Sequence, residues 1–352
     1  MPRSGADGGE AGAAAHPAPP DAARAPQRPL LRLEELSVHF PAEGRLLAAV
    51  RGIDLDVPAR GVTCLVGESG CGKSLAARSV LRLTPEGAIL GGRVLLDGED
   101  LLSLPERALR DIRGRRVGMI FQEPMTSLNP VLRVGVQTAE PLRLHLGMGA
   151  AEARREVVRL FSEVGIPAPE SRYDDYPHQL SGGMRQRVMI AMALACGPEL
   201  LLADEPTTAL DATIQGQILR LIHTRSRERG LAVLLITHDL GVVAEMADTV
   251  GVMYAGMLVE RAPAAELFAR PLHPYTRGLM AAAPGRASRG LARLPTIPGS
   301  VPSLAAMPPG CPFQPRCTEA LPRCAESAPP MLSDGAHGVA CWRVTPHGGH
   351  TP

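Results

Sequence analysis

The chain carries two kinds of hydrophobic pattern, and they occur in different parts of it. Apolar and polar residues alternate along Leu31–Phe40 and Ile53–Val57, which predicts antiparallel strands with one buried face. Later stretches are apolar at almost every position, as is typical of strands buried on both faces of a parallel sheet. These stretches are Gly61–Val66, Val117–Phe121, Leu200–Ala203 and Leu231–Thr237. Further strands are predicted at Val94–Leu96 and in a hairpin of Val250–Tyr254 with Leu258–Arg261.

Helical periodicity is clearest at Ala151–Val164, where apolar residues recur on one face. No strand pattern occurs between about 126 and 185, so this segment is predicted to be a helical insertion. Strands that alternate with helices indicate an α/β domain with a largely parallel sheet. Regular structure is therefore expected to concentrate in residues 30–262.

The two ends of the chain differ from this middle part. Residues 1–29 are rich in Ala, Pro and Gly and have no hydrophobic period, so they are predicted to be disordered. Residues 263–352 are rich in Pro and Cys, and helical patterns occur there only at Ala264–Ala269 and Pro274–Ala283. We expect this part to form a small, loop-rich C-terminal extension.

Composition argues against several classes of function. A net charge of +1 and an aromatic content of 3% over 352 residues give no support to nucleic-acid binding. No apolar run approaches the ~20 residues of a membrane helix, and the N-terminus lacks the apolar core of a signal peptide. The chain is expected to be cytoplasmic.

The segment Gly67–Ser74, called the phosphate loop below, fits G-x-x-x-x-G-K-[ST] between a predicted strand and a predicted helix. Its glycines free backbone N–H groups to surround phosphates, Lys73 can reach the β- and γ-phosphates, and the Ser74 hydroxyl can ligate Mg²⁺. Contacts to the nucleotide are expected from Gly67, Ser69, Gly70, Cys71, Gly72, Lys73, Ser74 and Leu75. Cys71 is either a small filler residue or a reactive thiol of low pKa at a helix N-terminus.

Three predicted buried strands end in polar residues suited to hydrolysis. One ends in Asp204 and Glu205; Asp204 is predicted to hold Mg²⁺ and Glu205 to polarise the attacking water. Gln122 follows a second strand and is predicted to contact both Mg²⁺ and this water. His238 follows a third strand and is predicted to contact the γ-phosphate.

The run Leu180–Gln186, called the signature segment below, reads Leu-Ser-Gly-Gly-Met-Arg-Gln and opens an apolar helix. Ser181 is a good N-cap, while Gly182 and Gly183 let a phosphate approach the backbone at the positive end of the helix. We therefore predict a second anion site here, separate from the phosphate loop. Asp211, a short distance beyond Glu205 in the chain, is expected to communicate across an interface.

Four of the seven cysteines cluster near the C-terminus, at Cys311, Cys317, Cys324 and Cys341. The group contains no C-x2-C pair of the kind found in zinc ribbons, but four cysteines can ligate a [4Fe–4S] cluster. Zinc and reduced thiols are the alternatives. A tail so poor in apolar periodicity would gain order from a metal.

Taken in order, these residues resemble the ATP-binding subunits of ABC transporters over about 30–262. The matching elements are Gly67–Ser74 as Walker A, Gln122 as the Q-loop, Leu180–Gln186 as the signature, Leu200–Glu205 as Walker B, Ala209–Asp211 as the D-loop and His238 as the switch histidine. The resemblance narrows to the peptide and nickel importers, and within them to the D-type subunit for dipeptides or oligopeptides. The segments that carry this are Phe121–Pro130, Tyr176–Leu180, Ala269–Thr276, Pro298–Pro302 and Gly310–Phe313. C-terminal regions of this subfamily also resemble the cysteine pattern and are known to hold clusters.

The resemblance implies a P-loop NTPase of the ABC type, with an antiparallel β subdomain, a helical subdomain at about 126–185 and a Cys-rich extension over 263–352. It implies a composite site, in which a second ABC ATPase packs head to tail and its signature covers the nucleotide held by this Walker A. The helical subdomain would dock two membrane permeases, served by an extracytoplasmic substrate-binding protein. The chain would then lie at the cytoplasmic face of the inner membrane.

Two departures from the family pattern affect the site. The aromatic residue expected to stack on adenine is assigned to Phe40, although the loop that follows, about 41–50, is expected to be long. The D-loop begins with Thr208 rather than the usual serine.

Other readings fit the sequence less well. Soluble ABC ATPases of DNA repair insert long coiled coils between the Walker motifs, and ABC regulators of translation carry two cassettes, whereas this chain has neither. A non-hydrolysing module is disfavoured because Glu205 and His238 are both present. Nickel and glutathione are alternatives to peptides as the imported substrate.

Overall fold

The computed structural model describes residues 28–42, 44–123, 127–208, 210–283 and 295–344. Almost all of the segment expected to be disordered, and Ala209 of the D-loop, lie outside these residues. The strands are β1 (Pro29–Ala42), β2 (Arg45–Pro58), β3 (Val62–Val66), β4 (Ile89–Leu96), β5 (Glu99–Asp100), β6 (Val117–Ile120), β7 (Leu200–Asp204), β8 (Ala232–Ile236), β9 (Thr249–Tyr254), β10 (Met257–Pro263), β11 (Leu332–Asp334) and β12 (His337–Val339).

The helices confirm most of the periodic segments seen in the sequence. In chain order they are α1 (Lys73–Val80), α2 (Glu106–Ile112), α3 (Val134–Leu146), α4 (Ala150–Glu163), α5 (Pro169–Arg172), α6 (Gly182–Leu194), α7 (Ala212–Arg229), α8 (Leu240–Met246), α9 (Ala264–Ala269), α10 (Pro274–Ala282) and α11 (Arg323–Glu326). Between 127 and 185 the described residues contain helices and no strand, as predicted. No described helix is both long and apolar enough to span a bilayer.

One sheet is antiparallel, with the strand order β2-β1-β4-β5. The expectation of a long loop at 41–50 is wrong, because β1 and β2 continue as a hairpin as far as the pair of Ala42 and Arg45. The register shifts between Val38, opposite Val50, and His39, opposite Ala48. Such a bulge breaks the two-residue alternation that sequence analysis relies on.

The other sheet has eight strands in the order β11-β12-β10-β9-β3-β8-β7-β6. Strands β6, β7, β8, β3 and β9 pair in parallel and are almost entirely buried, which confirms the continuous apolar runs. Because their carboxyl ends share one edge, the segments after β3, β6, β7 and β8 meet there. This edge therefore gathers the phosphate loop and the polar residues that follow the other strands.

The C-terminal extension is joined to this sheet, which the sequence did not reveal. Strand β12 pairs with β10 through Glu260 opposite Val339, and β11 pairs with β12. The side chain of His337 is buried, and its Nε2 lies 2.8 Å from the carboxylate of Glu260. These strands are too short to show a two-residue alternation in the sequence, so no strand was predicted in the loop-rich extension.

Candidate nucleotide site

The phosphate loop connects β3 to α1, and its backbone requires glycine at two close approaches. Gly67 has φ +151, and a Cβ there would lie 2.2 Å from the carbonyl oxygen of Met253. Gly72 has φ +102, and a Cβ there would lie 2.9 Å from the carbonyl oxygen of Ala49. The loop is thus pressed against the neighbouring backbone, with little room for side chains.

Lys73 places its ammonium group inside this loop. Its side chain is buried, and Nζ donates hydrogen bonds to the carbonyl oxygens of Gly67 at 2.8 Å and Glu68 at 2.9 Å. A cation held among backbone groups at a helix N-terminus creates a concentrated positive potential. The arrangement suits a ligand with adjacent phosphates.

Cys71 is fully buried, and its Sγ lies 3.5 Å from the ammonium group of Lys73. Burial raises the pKa of the Cys71 thiol, although the charge of Lys73 acts in the opposite direction. The hypothesis of a reactive, low-pKa thiol is therefore wrong, because desolvation of the thiolate outweighs its stabilisation by the lysine.

Ser74 and Asp204 form the centre of a candidate magnesium site. The Ser74 hydroxyl donates to Asp204 Oδ1 at 2.8 Å, while Oδ2 of this fully buried carboxylate accepts no hydrogen bond. Arg78 Nη2 lies 3.9 Å from Oδ2. Burial raises the pKa of Asp204. A buried carboxylate oxygen without a donor is costly, and hydroxyl and carboxylate oxygens are the ligands Mg²⁺ prefers, so these residues fit that ion.

Glu205 is held in one orientation by two neighbours. Its Oε1 lies 3.1 Å from His238 Nδ1, and its Oε2 accepts a hydrogen bond from the Thr208 hydroxyl at 2.9 Å. Burial alone would raise the pKa of Glu205, but these hydrogen bonds and the charges of His238 and Lys73 lower it. Glu205 also has φ +48, an unfavourable conformation for a residue with a side chain, which is found most often at functional sites.

Eight of the predicted site residues line a single open cavity, and Asp204 and His238 are not among them. Its lining comprises Ala49, Ser69, Gly70, Gly72, Lys73, Ser74, Leu75, Gln122, Glu205 and Leu304. Gln122 and Glu205 therefore face the same space as the phosphate loop, although they follow different strands. Gln122 also borders a neighbouring surface cavity together with Arg78, Phe121, Glu123 and Ser127.

Phe40 is not among the residues that line this cavity. Its partly buried side chain packs against the core of the antiparallel sheet. The apolar lining comes instead from Ala49 and Leu75 and from Leu304 of the C-terminal extension, which is 39% exposed. No sequence signal pointed to Leu304, because its position depends on how the extension folds back over β2.

The signature segment lies on a different surface. The Ser181 hydroxyl accepts a hydrogen bond from the backbone N–H of Met184 at 3.3 Å, which confirms it as the N-cap of α6. A Cβ added at Gly182 would meet no atom within 4 Å. Ser181, Gly183 and Asp211 line a second cavity, and none of them lines the phosphate-loop cavity.

Two hydrogen bonds near these segments have no signal in the sequence. Thr208 bonds to Glu205, as described above, and Gln186 Nε2 donates to the carbonyl oxygen of Pro206 at 2.7 Å. Asp211 accepts a bond from the N–H of Ile214 at 3.0 Å and so caps α7. The bond of Gln186 links the signature helix to the chain beside Glu205, a contact that only the tertiary fold creates.

The four tail cysteines lie near one another and form no disulfide. Cys324 Sγ accepts a hydrogen bond from the backbone N–H of Leu321 at 3.4 Å. Burial raises the pKa of Cys311 to about 11, and the other three thiols contribute in the same direction. Within the described residues no three His, Cys, Asp or Glu side chains are arranged to hold a metal ion.

Comparison with known proteins agrees with this geometry. Residues 50–208 match the family model described as ABC transporter, and residues 259–324 match the model described as oligopeptide/dipeptide transporter, C-terminal region. A probable peptide ABC transporter ATP-binding protein of Sinorhizobium fredii is 52% identical over 89% of this chain and 95% of its own length. A putative peptide import ATP-binding protein of Brucella ovis is 48% identical over 90% of this chain and 98% of its own length.

Solved structures show the same fold. The ATP-binding cassette MJ0796, in a dimeric post-hydrolysis state bound to ADP and Pi, superposes with a TM-score of 0.61 and 26% identity. That match covers 66% of this chain and 98% of the cassette. The protein cbiO1 of Clostridium perfringens, part of an ABC transporter complex, gives a TM-score of 0.56 and 28% identity over 69% of this chain and 91% of its own.

Proposed function

Because this chain belongs to the family of ABC transporter ATP-binding proteins, we propose that it hydrolyses ATP to drive peptide import through a membrane transporter. The observation that carries the ATPase assignment is the convergence of Lys73, Ser74 and Glu205 on one cavity, with Asp204 hydrogen-bonded to Ser74. The peptide assignment is supported by the match of residues 259–324 and by the descriptions of the relatives.

The residues divide the work of phosphoryl transfer. Ser74, Asp204 and Gln122 would hold Mg²⁺, which neutralises phosphate charge when bound. Lys73 would leave the loop carbonyls to bind the β- and γ-phosphates. Glu205 stays ionised because its pKa is lowered, and so it can accept a hydrogen bond from the attacking water. His238 fixes the carboxylate of Glu205 and is exposed enough to reach a γ-phosphate.

Exchange of Glu205 for glutamine tests this assignment. Glu205→Gln keeps the side chain's shape but removes the negative charge that polarises water, so ATP should bind normally while hydrolysis falls by about 10³-fold. The measurements are nucleotide affinity and phosphate release, with the exposed Glu245→Gln as the matched control. Hydrolysis at the wild-type rate in Glu205→Gln would contradict the mechanism.

The working unit is proposed to be a head-to-tail dimer. Ser181 and Gly183 share an outward-facing cavity with Asp211, apart from the phosphate-loop cavity of the same chain. They would therefore act on a γ-phosphate held by a second ABC ATPase. We place the unit at the cytoplasmic face of the inner membrane, with residues 30–262 as the nucleotide domain and 126–185 docking on two permeases.

The four tail cysteines are proposed to ligate a [4Fe–4S] cluster. Support comes from the ligand type alone, since four neighbouring thiols, three of them buried, match the four-cysteine ligand set of such a cluster, while the described side chains are not arranged around a common metal position. Protein purified without oxygen should contain iron and acid-labile sulfide and absorb visible light. Cys317→Ser should lose these, whereas Cys196→Ser, outside the group, should keep them. Absence of iron from the wild type would refute the proposal.

A further inference from the structure

The C-terminal extension contacts the phosphate loop at Glu68, a residue that the proposed chemistry does not use. The Glu68 carboxylate accepts two hydrogen bonds from the guanidinium of Arg316, at 2.6 Å from Nη1 and 3.0 Å from Nη2. The backbone N–H of Glu68 donates to the hydroxyl of Tyr275 at 2.8 Å. Arg316 and Tyr275 both belong to the extension, so two of its side chains meet on one loop residue.

Arg316 is fixed in place by further bonds. Its side chain is only 4% exposed, and Nε donates to the carbonyl oxygen of Pro298 at 2.8 Å. Its terminal nitrogens also donate to the carbonyl oxygen of Ile297 at 3.2 Å and the hydroxyl of Tyr254 at 3.3 Å. A bidentate arginine–carboxylate pair whose arginine is buried and has all its nitrogens bonded differs from ion pairs between two exposed side chains, which contribute little.

Tyr275 is equally constrained, by aromatic packing. Its ring centroid lies 4.7 Å from that of Tyr254 and 5.4 Å from that of Phe313. The rings of Tyr254 and Phe313 in turn meet edge to face at 5.2 Å. All three side chains are buried, so the Tyr275 hydroxyl is held at a defined height above the phosphate loop.

The main chain and side chain of Glu68 are thus held at three points. Lys73 binds its carbonyl oxygen, Tyr275 its N–H, and Arg316 its carboxylate. Lys73 must give up its bond to reach a phosphate, whereas the other two can persist. We propose that Arg316 and Tyr275 are positioning residues that hold the phosphate loop in its ATP-binding shape before the nucleotide arrives.

This inference rests on the proposed ATP binding and refines it. A loop that is already ordered spares the nucleotide the cost of ordering it, so the effect should appear in affinity. Removing the anchors should therefore raise KM for ATP while kcat changes little. A residue that merely stabilises the fold would lower the amount of active protein and leave KM unchanged.

The test measures ATP affinity with the purified full-length chain, and the kinetics of hydrolysis with that chain assembled with its partner ATPase. Arg316→Met should weaken ATP binding by about tenfold and Tyr275→Phe by about threefold, in line with the loss of a charged, bidentate contact in the first and of a single neutral hydrogen bond in the second. Arg277→Met is the matched control, because Arg277 pairs with Glu319 inside the extension and does not contact the loop. Its affinity should equal that of the wild type.

A double-mutant cycle distinguishes loss of the Arg316–Glu68 contact from general destabilisation of the protein. Arg316→Met combined with Glu68→Gln should be no weaker in ATP binding than the weaker single variant, because both remove the same interaction. If the Arg316→Met variant does not fold, Tyr275→Phe still tests the proposal, since it removes only a hydroxyl. Wild-type affinity in both Arg316→Met and Tyr275→Phe would overturn the inference, as would multiplying effects in the cycle. Failure of the wild type to bind ATP would instead refute the proposed function.

Discussion

The phosphate loop and the signature segment are both glycine-containing turns at a helix N-terminus, but their surroundings differ. The phosphate loop faces a cavity that also receives Gln122 and Glu205, which follow different strands, and its own Ser74 bonds to Asp204 at the end of β7. At the signature segment, the Ser181 hydroxyl bonds only to the first turn of its own helix among the bonds described, and Gly182 faces open space. The phosphate loop is therefore surrounded by catalytic candidates of its own chain, whereas none of these candidates lines the cavity of the signature segment, in keeping with the proposal that a partner's nucleotide binds there.

A substitution that fills the cavity of the signature segment is expected to have a large effect. Ser181→Arg places a long side chain where the γ-phosphate of a partner's nucleotide would sit. The variant chain should therefore bind ATP normally but should not form the ATP-dependent dimer with the partner ATPase. Hydrolysis should fall by about 10²-fold or more. Light scattering with ATP and phosphate release measure the two effects, and Ser171→Arg on an exposed helix is the control. ATP-dependent dimers of Ser181→Arg would show that the two sites are not complementary halves.

His238→Ala, which alters the phosphate-loop site beside Glu205, is expected to have an intermediate effect on hydrolysis. Loss of the imidazole frees the Glu205 carboxylate to rotate, so kcat should fall by about 30- to 100-fold with ATP affinity nearly unchanged. His223→Ala, on α7 away from the cavity, is the control for loss of a histidine. A rise in KM with unchanged kcat would mean that His238 serves in binding rather than in orienting Glu205.

The smallest effect is expected at Thr208, through one hydrogen bond. Thr208→Val should lower kcat by about three- to tenfold, the scale of a single bond, whereas Thr208→Ser keeps the hydroxyl and should stay near the wild type. The lost bond stabilised the ionised form, so the pKa of Glu205 should rise and hydrolysis should fail at a higher pH as acid is added. An unchanged acid limb in the pH profile would exclude this role for Thr208.

The sequence was most informative where function depends on residues close together in the chain. The phosphate loop, the Asp204–Glu205 pair and the signature segment were all recognisable, because each combines a strand or helix end with the side chains its chemistry needs. It failed at the start of β2, where the extra residue Ala49, opposite the step from Val38 to His39 in β1, disrupts the alternating pattern. It also failed at β11 and β12, which are too short to show one.

Contacts made between distant segments had no such local signal. Leu304 reaches the nucleotide cavity, and Arg316 bonds to Glu68 across 248 residues of chain, because the extension folds back over the sheet. Local patterning fixes which segment becomes a loop, strand or helix cap, since those depend on backbone freedom and burial of nearby residues. Which side chains then face one another is decided by packing of the whole sheet, and here that packing brings the C-terminal extension to the phosphate loop.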